Sequence, residues 1–156
     1  MQFQASIEIR APAECVFDLI STPERLPQWN EAVVEAHRVS PGAVGPGSRA
    51  QMQGKVLGQL IASETEVVGF EPNQLFATNA VRGPRLNTIF RLAPLEPAGT
   101  RLDVELRGEL PGGSLGNLVA EPMLRAQLTR SLEQLRILCE RDALSHQAPP
   151  KESESC

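Results

Sequence analysis

Apolar and polar residues alternate along most of the first 110 positions. In residues 3–10 (FQASIEIR), Phe3, Ala5, Ile7 and Ile9 fall on one side and Gln4, Ser6, Glu8 and Arg10 on the other. This period of two predicts a half-buried strand. The alternation returns at 48–57, with Ala50, Met52, Gly54 and Val56 inward and Arg49, Gln51, Gln53 and Lys55 outward. In 59–70 the acids Glu64 and Glu66 mark the outer face, which leaves Ile61, Ser63, Thr65 and Val67 as the inner set. It is clearest at 100–110, where Leu102, Val104, Leu106 and Leu110 oppose Arg101, Asp103, Glu105 and Arg107. Residues 32–39, 74–82 and 85–93 are further strand candidates, set off by turn signals at 41–47 (PGAVGPG), Gly58, Pro72-Asn73, Gly83-Pro84 and 94–99.

Three segments break this rhythm. Pro12 opens a short helix whose buried face is Val16, Phe17 and Ile20, and Ser21-Thr22-Pro23-Glu24 starts a second one that Pro27 keeps short. Residues 113–141 form the third, long enough to cross a small domain. Leu124, Leu128, Leu132, Leu135 and Cys139 make one apolar stripe on it, and Leu115, Leu118, Val119, Pro122 and Met123 make another, turned well away from the first. A straight helix cannot press both stripes on one sheet. Pro122 stands at the changeover, so a kink or break is expected there, with the second half clamping the sheet and the first half facing something else.

The order is strand, two short helices, about six strands in meander, and a long helix. Short connections make the sheet antiparallel. A sheet of about seven strands twists and curls, and the long helix is the one element able to cover its apolar face. The class is α+β. One domain is expected over 1–144, and the polar, Pro-containing residues 145–156 are expected to be a disordered tail.

Composition narrows the function. The net charge is −4, and no basic run offers a footprint for nucleic acid. No leader and no membrane-spanning apolar run is seen, so a cytoplasmic protein is expected. The excess of Arg over Lys fits a GC-rich bacterial genome. Cys15, Cys139 and Cys156 have neither zinc nor disulfide spacing; the first two read as small core residues and the third as an exposed thiol. His37 and His146 lack an Asp or Cys at motif spacing, so no catalytic residue is assigned. Residues 42–47 lack the GK[ST] that a phosphate cradle needs. Arg82 or Arg91 would bind a carboxylate if turned inward; an outward, solvated position is the favoured reading. No metal cluster or cofactor motif is present.

Val16-Phe17-Asp18-Leu19-Ile20, Thr22-Pro23-Glu24 and Pro27-Gln28-Trp29-Asn30 resemble the N-terminal signature of the SRPBCC, or START-like, superfamily. Gly45-Pro46-Gly47 resembles its glycine turn, and Phe70-Glu71-Pro72-Asn73 the turn after its long central strand. The resemblance covers about residues 3–141 in element order, and the polyketide cyclase/dehydrase-like group fits best. It implies a helix-grip fold: a curved antiparallel sheet wrapped around the C-terminal helix, with a ligand cavity between them. Members include carriers, cyclases and receptors.

The expected function is binding of a small hydrophobic or amphipathic molecule such as a lipid, quinone or polyketide. An enzyme acting on such a molecule by cyclisation or dehydration is the alternative, and a partner-binding protein with a vestigial cavity is a third. Met52, Thr65, Thr78 and Phe90 from the sheet and Leu118, Pro122 and Met123 from the helix are the expected lining, with Trp29 near the mouth. The plain alternative is that the apolar members are solid core and the threonines serve as strand formers.

Overall fold

The chain runs β1 (Gln2–Ile9), α1 (Ala13–Ser21), a 3₁₀ helix (Pro23–Gln28), β2 (Val33–Arg38), β3 (Arg49–Val56), β4 (Gln59–Glu71), β5 (Leu75–Arg82), β6 (Arg85–Pro94), β7 (Thr100–Glu109) and α2 (Gly113–His146). This computed structural model describes residues 2–56, 58–109 and 113–146, with side chains described except at 56, 113–117, 119, 145 and 146. Each of the seven expected strands is present to within one residue at either end.

The strands form one antiparallel sheet in the order β1-β7-β6-β5-β4-β3-β2. Strands β2 to β7 are a plain meander, and β1 closes against β7 with Phe3 opposite Leu106 and Ile9 opposite Thr100. Register shifts between Val33 and Glu35, between Glu64 and Thr65, and between Val67 and Gly69 leave Val34 on β2, Val81 on β5 and Val68 on β4 as bulged residues. Bulges bend a strand and increase its twist, which lets the sheet curl around a helix. Gly83, at φ +89°, makes the tight β5–β6 turn in a backbone conformation that side chains disfavour.

The core fills one end of the curl. Val16, Leu19 and Ile20 of α1, Ile9 of β1, Leu102 of β7, and Leu132, Leu135 and Cys139 of α2 are all at most 3% exposed. Burial at this density makes Cys139 inert as a thiol: desolvation pushes its pKa up to about 12. The buried Thr100 hydroxyl is satisfied by donating to the Ala11 carbonyl at 2.8 Å.

Two expectations about α2, a break at Pro122 and an end at Arg141, are corrected. Pro122 neither breaks nor ends the helix, which runs without interruption from Gly113 to His146. Pro122 is exposed, so the carbonyl left without an amide partner in the preceding turn faces the solvent side. The helix also outlasts its expected end at Arg141, because Ala143 is buried and joins the core. Ser145 and His146 therefore belong to α2, while the rest of the expected tail, Cys156 included, lies outside the described residues, as does Leu110.

Candidate ligand-binding cavity

The helix α2 packs against β1 and α1, and its N-terminal half stands off the inner faces of β3 to β6. The strands there carry small inward residues. Ala50 and Gly54 on β3, Ser63 and Thr65 on β4, Thr78 and Ala80 on β5, and Thr88 on β6 replace the Ile and Leu of the solid end. Side chains this short cannot reach the helix, and a cavity of about 240 Å³ remains. Gly54 serves a second purpose: a Cβ there would stand 2.9 Å from the Ala32 carbonyl oxygen, which accepts from the Lys55 amide at 2.8 Å. A side chain at 54 would push the β2 entry away from β3.

The inner wall is aromatic. Trp29 stands edge-on to Phe90 with ring centroids 6.2 Å apart, and Phe90, Phe76, Phe17 and Phe70 continue the cluster at 5.4–6.4 Å. Trp29 donates its indole N–H to the Leu19 carbonyl at 2.9 Å and is 3% exposed. It is a wall fixed to α1 and not a side chain at the mouth. All the aromatic residues except Phe3 are thus gathered where the solid core meets the cavity.

The polar groups are of two kinds. Some are committed: the Ser131 hydroxyl accepts from the Glu31 amide at 2.9 Å, and the Ser21 hydroxyl donates to the Phe17 carbonyl at 2.6 Å. Others are free. Ser63, Thr65, Thr78, Thr88 and Gln127 line the cavity and make no side-chain hydrogen bond to any described residue. No fully enclosed polar side-chain atom among the described residues lacks a partner, so these groups face open space.

The charged lining side chains, Arg38 and Arg49, lie exposed at the rim. Arg38 pairs with Glu24 of the 3₁₀ helix at 3.3 Å, and Arg49 with Glu64 at 3.3 Å and Glu66 at 3.4 Å. Partial burial opposes ionisation of Glu24, but the Arg38 amide and guanidinium outweigh it and hold the carboxyl below its usual range. Glu64, on the outer face as expected, is buried; hydrogen bonds from Gln51 and Arg49 and the nearby Arg82 charge keep it ionised. Arg82 stands opposite Glu64, and Arg91 opposite Leu75 and Asp103, so neither enters the cavity.

A second set of contacts holds α2 over the β2 side. The Arg130 guanidinium grips both carboxylate oxygens of Glu31 at 2.7–3.1 Å, beside the Ser131 contact. That pairing depresses the pKa of Glu31.

Of the expected lining, Trp29, Met52, Thr65, Thr78 and Phe90 meet at the cavity. Leu118, Pro122 and Met123 do not: Leu118 is 69% and Met123 58% exposed, and Pro122 is exposed as well. The side chains of Leu115 and Val119 lie outside the description. The helix presents Leu124, Gln127, Leu128 and Ser131 instead. At 100° per residue Ser131 falls roughly 20° from Leu124, on the first stripe, and Gln127 roughly 60° from it, beyond the stripe's edge towards Met123; being polar, neither shows in an apolar pattern. Leu26, Val44 and Arg38 at the rim carry no local signal; the 3₁₀ helix, the 39–48 loop and the end of β2 bring them in.

The family described as "Polyketide cyclase / dehydrase and lipid transport" matches residues 1–140. Among solved structures, a START superfamily protein from Mycobacterium smegmatis superposes with a TM-score of 0.68 at 23% identity, covering 94% of this chain and 99% of that one. A protein from Thermus thermophilus gives 0.72 at 20% identity, with 95% and 100% covered. The Zhui aromatase/cyclase from Streptomyces sp. R1128 gives 0.71 at 14% identity, with 90% and 94% covered. No curated protein sequence matches the chain. These identities speak for the fold. Since the family match runs from β1 into the last turns of α2, the chain belongs to the polyketide cyclase/dehydrase and lipid transport family, and it shares its fold with the START superfamily protein.

Proposed function

We propose that the protein binds a small apolar or amphipathic molecule in the cavity between β3–β6 and α2. The observation that carries this reading is the lining: hydrocarbon and aromatic walls, a few hydroxyls and the Gln127 amide without partners among the described residues, with charge confined to a paired rim. Ligand sites are of this kind, mostly apolar with a few polar groups to orient the guest. The same lining supports binding over cyclisation or dehydration, because no carboxylate, imidazole or thiol among the described residues faces the cavity to move a proton.

The test is uptake of an environment-sensitive apolar dye, with tryptophan emission as a second readout. Trp29 is the only tryptophan and the chain has no tyrosine, so the emission comes from the cavity wall alone. Thr65→Trp fills the centre of the space and is expected to abolish uptake while leaving a cooperative melt, since a side chain added to an open cavity displaces no packed atoms. Leu118→Trp, on the exposed face, is expected to leave uptake unchanged. No uptake by the wild type, with severe destabilisation by Thr65→Trp, would mean that the space is not a binding site.

A further inference from the structure

We infer that the cavity selects compact, uncharged molecules that carry a carbonyl or hydroxyl oxygen, and that Thr78, Thr88 and Gln127 read that oxygen. The inference rests on the binding reading above and narrows it to a ligand class. Thr78 and Thr88 are register partners on β5 and β6, both on the inner face. The Cβ atoms of such directly opposed residues stand roughly 5 Å apart. Their two hydroxyls therefore form one adjacent pair on the cavity floor, and neither bonds to a described residue. Gln127 enters from α2, on the opposite wall, with an amide that bonds to no described residue and can both donate and accept. An oxygen held between floor and helix would be offered donors from both sides.

A pure hydrocarbon would cover these groups and leave them without partners, which disfavours it against an oxygenated analogue of the same shape. An anionic group fares no better. The described lining holds no inward cation, and both rim arginines are already paired with carboxylates. Size sets the remaining limit. A cavity of about 240 Å³ lies at the small end of ligand sites, the scale of a one- or two-ring molecule and well short of a two-chain lipid.

The experiment compares three ligands of one skeleton by calorimetry: tetralin, 1-tetralone and the tetralin carboxylate. Tetralone is expected to bind the wild type most tightly. Thr78→Val and Thr88→Val, which keep the shape and remove the hydroxyl, are each expected to weaken tetralone by about tenfold and to leave tetralin unchanged or tighter. Gln127→Leu is expected to act in the same direction. Equal binding of tetralin and tetralone, unmoved by the variants, would overturn the selection while leaving the binding reading intact, and so would preference for the carboxylate. Failure of all three ligands to bind while the apolar dye still does would also overturn this proposal alone. Failure of dye and ligands together would overturn both readings.

Discussion

Leu132 and Leu144 are the same residue type on the same helix, yet one is 3% and the other 70% exposed. Leu132 touches the sheet through the solid end of the core, so Leu132→Ala removes buried methyl groups and leaves a void that close-packed neighbours fill only in part. The expected cost is about 2–5 kcal/mol by denaturant titration. Leu144→Ala should change stability by less than about 0.5 kcal/mol. Similar effects at the two positions would mean that α2 is rotated about its axis, with the Leu132 face turned from the sheet. At this scale the sequence was legible wherever burial and periodicity agree. The inward sets Ala50, Met52 and Gly54 and Ile61, Ser63, Thr65 and Val67 all face the cavity. It misled where apolar was equated with buried: much of any folded surface is apolar, and Leu118 and Met123 belong to that part.

At the scale of the element, α2 shows why a local breaker can be overruled. Pro122 lacks the amide and crowds the preceding turn, a cost of about 3 kcal/mol in a helix interior. The helix continues because residues 124–143 are anchored to α1, β1 and the cavity edge, and because the unpaired carbonyl faces the solvent side. Pro122→Ala restores the hydrogen bond and relieves the crowding. It is expected to stabilise the protein by about 1–3 kcal/mol, seen as a raised melting temperature with ligand uptake unchanged. A lowered melting temperature would show that the ring packs on something the helix needs. Pro27 tells the complementary story: the 3₁₀ helix ends after it at Gln28 and so delivers Trp29 to the wall.

Across the whole molecule, carboxylates depressed by their partners set the response to acid. Ser6 and Arg101 hold Asp103 down, Arg130 does so for Glu31, Gln51 and Arg49 for Glu64, and Arg136 for Glu133. Each binds its proton more weakly in the folded than in the unfolded chain. Their contribution is therefore complete above the unfolded values near 4, and is lost as pH falls through the lower folded values. Urea melts are expected to give level stability from pH 7 to about 5 and a decline below about 4. A steep change between pH 6 and 7 would assign the dominant linkage to histidine instead.

Strand number, strand limits and the inward faces of β1, β3, β4 and β7 came from the sequence alone, because period-two alternation and glycine or proline turns are local and each pleat must put one side in the core. So did the long helix and its Leu124–Cys139 face. Tertiary structure alone decided which part of α2 meets the space, how far the helix runs, and which hydroxyls stay unpaired. A helix is held by whatever it packs on, and α1 and β1 fix the rotation of α2 about its axis. With Leu132 and Leu135 seated against them, Leu124, Leu128 and Ser131 are carried to the cavity side, whereas Leu118, only about 40° from Leu132 at 100° per residue, stays 69% exposed; what lies opposite each turn decides this, and no stretch of the chain states it by itself.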